Sequence, residues 1–328
     1  MKRREFISLL GGAAVTSAVT WPLPLGAQQV VRRPRVGVLI FSNPQTDPNT
    51  EAFLRGMHDL GHVDGQNIAV EYRYAEGKPE RFPELAAELV RLKPDVVFVL
   101  GGDAAPFVSK ATQTIPIVYS ISADPVKLGL AASLARPGGN ATGVTFLSDE
   151  LAAKRLEILK EAAPRISRVG FLWNPDHPDN ELDGAKRAAA AHGVQLHSME
   201  MRGAGDLDGA FNAATQAGVD AIYAVSSRHM VANVRRIVDF ATKNRLPLAG
   251  GWGEWVQAGG LISYGPNVGE MVRLAAVYVD KILKGANPGE LPVQQPTRFE
   301  LFINLKTAKA LGLAIPESFL LRADKVVE

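Results

Sequence analysis

Small polar residues follow the apolar runs of this 328-residue chain, and their side chains suit the binding of a small molecule. Two neighbouring runs, Val96–Leu100 and Ile117–Ile121, illustrate the pattern. The polar or flexible residues that come after them are Gly101, Gly102, Asp103, Ser122 and Asp124. Because ligands of open α/β sheets bind outside the carboxyl ends of the strands, these two turns predict half of a binding cleft.

Equivalent turns elsewhere complete the set of candidate ligand-binding residues. They are Phe41, Ser42 and Asn43 in the first half of the chain, and Trp173, Asn174, Ser226, Ser227, Trp252, Glu254 and Tyr264 in the second half. Exposed amides where helices begin, before Ala104 and His229, favour a carboxylate, and the acidic side chains could hold an ammonium group. The aromatic rings could form flat apolar walls. The set therefore suits an amino-acid-like ligand.

Several of these residues could instead have a purely structural role. Asp103 could cap the helix that follows it, and Asn174 with the next proline could form a simple turn. Trp255 is expected to pack inside a lobe, and Arg228 could either bind a ligand carboxylate or face solvent. The prediction therefore concerns the set as a cleft, and both roles stay open for each of these residues.

The residue types argue against an enzyme. Cysteine is absent, which excludes thiol catalysis, disulfides and zinc–thiolate sites. The chain has neither a Gly-x-Ser-x-Gly elbow nor a Walker A lysine loop, and residues 251–253 lack the third glycine of a dinucleotide fingerprint. His58 and His62 have the spacing of metal ligands, but Gly61 ends the helix between them. We therefore expect no catalytic residue, no metal and no cofactor.

Composition narrows the class of protein further. Hydrophobic residues make up 46% of the chain, and its length allows about two domains of ~150 residues each. The formal charge is +2, and the cluster Lys2, Arg3 and Arg4 contributes to it. Without that cluster the body is nearly neutral and has no basic stripe, so we expect no nucleic-acid partner.

The first 29 residues have the pattern of an export signal. A positively charged start precedes an apolar segment over residues 6–19, followed by Pro22, Pro24 and Gly26-Ala27. Arg3-Arg4-x-Phe6-Ile7 resembles the twin-arginine motif of proteins exported in the folded state, and an ordinary Sec signal stays open. Cleavage after Ala27 gives a leader of residues 1–27, although Leu25 is large for its position. The mature protein is expected in the periplasm.

Strand and helix patterns alternate along the rest of the chain, and this predicts an α/β fold of doubly wound, mostly parallel sheets. In the first half a loop is expected over residues 136–143 and a short strand over residues 144–146. The second half repeats the alternation and includes one long helix over residues 229–244. A duplicated architecture of this kind creates a cleft between two lobes, where small ligands commonly bind.

Three stretches of the chain, residues 115–143, 258–313 and 315–328, resemble the ABC transporter substrate-binding family that includes tryptophan/tyrosine-type binding proteins. The resemblance implies a type I periplasmic binding protein, which has two Rossmann-like lobes joined by a three-segment hinge. Lobe 1 then comprises residues 30–147 and 265–292, and lobe 2 comprises residues 148–264 and 293–328. It also places the helix Val268–Leu283 on lobe 1 and the strand at residues 299–303 on lobe 2.

The same resemblance implies a function. The chain would be the extracytoplasmic binding component of an ABC importer that closes over a small molecule, such as an aromatic or branched amino acid. A membrane permease would be its partner, and the protein would act as a monomer. Two alternatives stay open: a periplasmic sensor that feeds a signalling receptor, and an enzyme on a doubly wound fold.

Overall fold

We describe a computed structural model, which defines residues 32–43, 47–101, 103–178 and 181–328. The predicted leader, residues 1–27, and the candidate Gly102 lie outside these residues. Residues Arg33–Glu328 form one compact unit that contains both sheets described below. Within the described stretches, no helix combines the length and apolar character that crossing a bilayer requires.

The first sheet has five parallel strands in the order β2-β1-β3-β4-β5. Its strands are β1 (Arg35–Ile40), β2 (Ala69–Tyr74), β3 (Val96–Leu100), β4 (Ile117–Ile121) and β5 (Ala141–Thr145). The helices α1 (Pro48–Asp59), α2 (Phe82–Arg91) and α3 (Ala105–Ala111) connect them. Alternate residues of the central strands pack into two different hydrophobic clusters, so this sheet is buried on both faces.

The second sheet has seven strands in the order β12-β11-β10-β9-β8-β6-β7. Its strands are β6 (Arg168–Trp173), β7 (Gln195–Glu200), β8 (Ala221–Ala224), β9 (Leu248–Gly250), β10 (Ile262–Gly265), β11 (Glu300–Asn304) and β12 (Lys325–Val327). All neighbours are parallel except β10 and β11, which are antiparallel.

Nine more helices complete the described secondary structure, apart from three single-turn 3₁₀ helices. They are α4 (Ser148–Ala162), α5 (Glu181–Ala191), α6 (Leu207–Ala217), α7 (Arg228–Ala232), α8 (Val234–Lys243), α9 (Gly253–Gln257), α10 (Val268–Leu283), α11 (Leu305–Leu311) and α12 (Glu317–Leu320). One large hydrophobic cluster, formed by the second sheet and its helices, is the core of the second lobe.

The chain passes between the two lobes three times. It first leaves β5 for α4, which packs on α5 and on the second sheet. It returns from β10 into α10, which packs against α1 and against three strands of the first sheet. The third passage follows Val293 and Gln294, which still bond to the first lobe and lie just beyond the predicted boundary at residue 292. The crossing helix α10 therefore packs on the first sheet, and the strand β11 belongs to the second.

Two local predictions were wrong, and one helix was missed. The helix expected over residues 229–244 is two helices, because Asn233 interrupts it and its side-chain amide donates to the carbonyl of His229 (3.0 Å). The strand expected at residues 144–146 begins at Ala141, inside the predicted loop. The glycine at 143 permits this, since a Cβ there would lie 2.0 Å from the carbonyl oxygen of Tyr119 on β4. The short α9 was not foreseen.

Candidate functional site

A cavity lies between the lobes, where the carboxyl ends of strands from both sheets meet. Its empty volume is about 460 Å³, including its mouth. Phe41, Gly101, Asp103 and Ser122 line it from the first lobe, and Ser226, Ser227, Arg228 and Trp252 line it from the second. Strand-end turns position most of these residues, because Phe41 follows β1 and Ser226 follows β8. The space inside it that can hold the centre of a water-sized molecule is about 30 Å³, so the cavity is narrow in this arrangement of the lobes.

Two further cavities share lining residues with this one and extend the cleft. One is lined by Ser42, Asn43 and Glu254, and it shares Arg228 with the central cavity. The Ser42 hydroxyl donates to the carboxylate of Asp47, the residue that caps α1. The other adjoining cavity is lined by Asn174, and it shares Asp103 with the central cavity. Eleven of the fifteen sequence-predicted site residues therefore line the cleft.

Three of the predicted residues lie elsewhere, and the fourth, Gly102, is outside the described residues. Asp124 shapes its own turn, because its carboxylate accepts from the amide of Val126 (2.8 Å). The indole of Trp173 donates to the hydroxyl of Ser198 on the neighbouring strand β7 (2.7 Å), which holds the ring beside that strand. Tyr264 lines a separate surface cavity together with Phe299. Each of these side chains therefore makes its contacts outside the cavities of the cleft.

Asp103 connects the two lobes instead of capping a helix. The residue that caps α3 is Ala104, which makes no side-chain hydrogen bond. One carboxylate oxygen of Asp103 lies 3.1 Å from Nε2 of His177, which is buried in the loop after β6. Sequence reasoning missed His177 because the turn after that strand was read only as far as Asn174. A histidine three residues further along the same turn was the available signal.

A ring contact between Phe41 and His229 also joins the lobes. The two ring centroids are 5.4 Å apart, and the ring of Phe82 also packs against Phe41, with 6.1 Å between the centroids. Burial lowers the pKa of His229, and the nearby His177 lowers it further, although Asp206 opposes both effects. The imidazole of His229 is therefore held in its neutral form near pH 7.

A buried ion pair supports the second-lobe wall of the cavity. Arg155 donates to a carboxylate oxygen of Glu181 (2.8 Å) and to the hydroxyl of Tyr223 (3.2 Å), and both charged side chains are fully buried. Burial opposes the charge on Arg155, but Glu181 and Tyr223 outweigh it and hold the pKa of the guanidinium above its usual range. The other carboxylate oxygen of Glu181 accepts from the backbone amide of Ser226 (2.9 Å), which fixes the turn that lines the cavity.

Burial also raises the pKa of the Tyr223 hydroxyl well above its usual range, and the charge of Glu181 adds to that effect. The tyrosine therefore stays protonated and acts as a donor, with 2.8 Å between its hydroxyl and Glu181. Arg155, Glu181 and Tyr223 are buried and contact one another. Their role is therefore to support the wall, and not to exchange protons with a ligand.

Two α/β lobes that close around a polar, aromatic-lined cavity define a type I periplasmic binding protein. The sequence agrees with the fold: the chain matches the family of ABC transporter substrate binding proteins over residues 35–327, and it belongs to that family.

Known relatives cover most of the chain. A tyrosine-binding protein of Clostridioides difficile is 24% identical over 277 residues, which are 84% of this chain and 79% of that protein. The crystal structure of a conserved domain protein from Vibrio cholerae has a TM-score of 0.84 and 30% identity, covering 90% of this chain and 99% of its own. An ABC domain from Streptococcus pneumoniae, solved in complex with L-Trp, has a TM-score of 0.82 and 24% identity, covering 90% of this chain and 100% of its own.

Proposed function

We propose that this protein is the extracytoplasmic receptor of an ABC importer, which closes its two lobes over a small molecule and presents it to a membrane permease. The observation that carries the proposal is the central cavity, because side chains from both lobes line it and a ligand there would contact both. A ligand that contacts both lobes has a higher affinity for the closed arrangement and so drives closure. The receptor acts as a monomer and performs no reaction.

The ligand class follows from the lining and from the relatives. Aromatic rings of Phe41, Phe82, Phe146 and Trp252 surround polar groups at strand ends, which suits a molecule with a flat apolar body and a polar head. The relatives named for tyrosine and for L-Trp binding have ligands of that shape. We therefore place aromatic amino acids and related small molecules first among the candidates, with branched amino acids next.

Thermal unfolding of the purified protein tests the receptor function. A broad set of amino acids, organic acids, amines, sugars and nucleobases is screened, and calorimetry then measures the affinity of each compound that raises Tm. A ligand present at 100 times its Kd is expected to stabilise the folded protein by about 2.7 kcal/mol, which raises Tm by several degrees. A screen without any stabilising compound, or turnover of one of the compounds, would contradict the proposal.

Export is a separate part of the proposal and has its own test. The N-terminal pattern, which lies outside the described residues, supports delivery to the periplasm by the twin-arginine route. In a bacterial host, the full chain is expected in the periplasmic fraction, and the double variant Arg3→Lys/Arg4→Lys is expected to stay in the cytoplasm. Unchanged export of the variant would point to the Sec route, and cytoplasmic wild type would contradict the periplasmic location.

A further inference from the structure

Three donor atoms on the second-lobe wall of the central cavity have no hydrogen-bond partner among the described residues. They are the hydroxyl of Ser226, Nη2 of Arg228 and the indole Nε1 of Trp252. All three side chains are more than nine-tenths buried: Ser226 is 0% exposed, Trp252 is 5% exposed and the side chain of Arg228 is 9% exposed. Buried donors are normally paired, so this group on one wall calls for an acceptor inside the cavity.

The chemistry of the donors defines that acceptor. Arginine and the indole N–H can only donate, so a group that satisfies both must accept at two positions. The guanidinium also carries a permanent positive charge, which favours an anion. Its contact with the carboxylate of Glu254 is long, 3.4 Å, and uses the other terminal nitrogen, Nη1. A carboxylate, with two oxygens in one plane, meets these requirements.

The orientation of the wall is fixed before a ligand arrives. The guanidinium carbon of Arg228 lies 4.3 Å from the ring centre of Trp252, so the two flat groups stack. Ser226 is held from behind by Glu181 through its backbone amide. Because these side chains are already ordered, they lose little further conformational entropy when a matching group binds.

The rest of the cavity offers little to an ammonium group. Asp103 is the one acidic side chain among the residues that line the central cavity, and it is engaged with His177 across the cleft. The remaining lining is largely apolar and aromatic, and includes Phe41, Phe146 and Met271. A positively charged ligand group in this cavity would therefore have to share the carboxylate of Asp103 with the imidazole of His177.

We propose that the ligand is recognised through a carboxylate bound by Ser226, Arg228 and Trp252, and that an ammonium group is dispensable. The site is selective for small organic acids with a flat apolar body, and an aromatic amino acid binds as one such acid. This inference rests on the proposed function, since it takes the central cavity to be the place where the ligand binds.

Two matched sets of probes test the inference by thermal shift and calorimetry. One set is 3-phenylpropionate, L-phenylalanine, 2-phenylethylamine and 3-phenylpropanamide, and the other is indole-3-propionate, L-tryptophan and tryptamine. In at least one set we expect the acid to bind within about tenfold of the amino acid, and the amine and the neutral amide to bind at least 100-fold more weakly. An amine that binds as well as its acid in either set, or an acid that binds more than tenfold more weakly than its amino acid in both sets, overturns the inference.

Variants of the three donor residues test whether the ligand carboxylate binds to this wall. Arg228→Gln is expected to weaken the acid at least 30-fold, and Ser226→Ala and Trp252→Phe about tenfold each, because each removes one donor. Trp252→Phe keeps the aromatic ring and so preserves most of the packing. Arg55→Gln, on the exposed face of α1 outside the cleft, is the matched control with an expected change below twofold. Unchanged acid affinity in folded Arg228→Gln, together with unchanged affinity in Trp252→Phe, contradicts the assignment.

The broad screen separates failure of the inference from failure of the proposed function. If only sugars, amines or nucleobases stabilise the protein, the proposed receptor function is supported and the inference that a ligand carboxylate is recognised is overturned. Stabilisation by no compound of any class removes the receptor function and this inference with it. Stabilisation by acids outside the two probe sets, lost in Arg228→Gln and retained in Arg55→Gln, supports the inference.

Discussion

Single residues decide how closely the polar groups of the cavity wall approach each other. Gly251 follows β9 and lies directly against the wall: a Cβ there would be 2.0 Å from the hydroxyl of Ser226 and 3.1 Å from the guanidinium carbon of Arg155. No larger residue fits in this arrangement without moving one of the two side chains. The glycine is therefore required by close approach, and its backbone conformation does not demand it.

Substitution of this glycine is expected to affect ligand binding and stability together. Gly251→Ala should displace the Ser226 hydroxyl, weaken ligand binding at least tenfold and lower the free energy of unfolding by about 1–3 kcal/mol. Gly209→Ala is the matched control, because Gly209 is exposed on α6 and a Cβ there meets nothing within 4 Å. The control should gain up to about 1 kcal/mol and keep its affinity. Urea unfolding and calorimetry measure both effects, and equal behaviour of the two variants would contradict this account.

The buried ion pair makes a second residue-scale prediction. Arg155→Met leaves the carboxylate of Glu181 buried without its counter-charge, so the free energy of unfolding should fall by about 3–5 kcal/mol. Arg55→Met removes an exposed pair with Glu51 on α1 and should cost under about 1 kcal/mol. Urea unfolding at pH 7 compares the two. A loss in Arg155→Met no larger than that in Arg55→Met would show that the pair is not a stabilising core of the second lobe.

Among the elements, the crossing helix α10 depends on a tight contact with α1. A Cβ at Gly56 would lie 3.0 Å from the Cβ of Ala276 and 3.3 Å from the Cα of Arg273, so the two helix backbones approach closely here. The helices are long, and α10 connects the second sheet to the first lobe. Their spacing therefore affects the geometry of the link between the lobes as well as the core of the first lobe.

Widening this helix contact should destabilise the first lobe. Gly56→Leu is expected to lower the free energy of unfolding by about 2 kcal/mol or more, since the side chain must enter a packed interface. Arg55→Leu introduces the same residue one position earlier, on the exposed face of α1, and should change stability by less than about 0.5 kcal/mol. Thermal and urea unfolding of the pair provide the measurement. Equal stability of the two variants would mean that α10 can move away from α1 without lowering the free energy of unfolding.

At the scale of the whole molecule, two histidines are among the residues that join the lobes. His177 pairs with Asp103, and His229 packs on Phe41, so both histidines hold the second lobe against the first. The pKa of His229 is lowered, first by burial, so the folded state binds fewer protons at this residue than the unfolded state does. Its contribution to stability is present above the unfolded pKa of ~6.5 and is lost as the pH falls below that value.

Acidification should therefore destabilise the protein partly through His229. The free energy of unfolding is expected to fall between pH 7.5 and pH 5.5, and the fall should be smaller in His229→Gln, whose side chain does not titrate. Urea unfolding at three pH values measures the difference between the two slopes. Gly209→Ala, which changes an exposed residue of α6 and removes no titratable group, should keep the wild-type slope. If the free energy of unfolding depended more steeply on pH in His229→Gln than in the wild type, the predicted direction of the His229 contribution would be wrong.

The sequence by itself determined the elements, because their signals are local. Apolar runs and helical spacing predicted β3, β4 and α10 at their observed bounds, and most of the strand-end candidates line the cleft. The long helix that Asn233 divides was missed because a side chain that bonds to a neighbouring carbonyl does not alter the apolar periodicity.

Tertiary structure decided which strand-end residues face the cavity and what they contact. Asp103 found a partner 74 positions away, in the other lobe, whereas Asp124, Trp173 and Tyr264 turned to their own loops or neighbouring strands. The donor wall of Ser226, Arg228 and Trp252 likewise depends on strand order, which brings the ends of β8 and β9 together. Such contacts join residues far apart in sequence, so local patterns predict where a polar turn lies but not the group it meets.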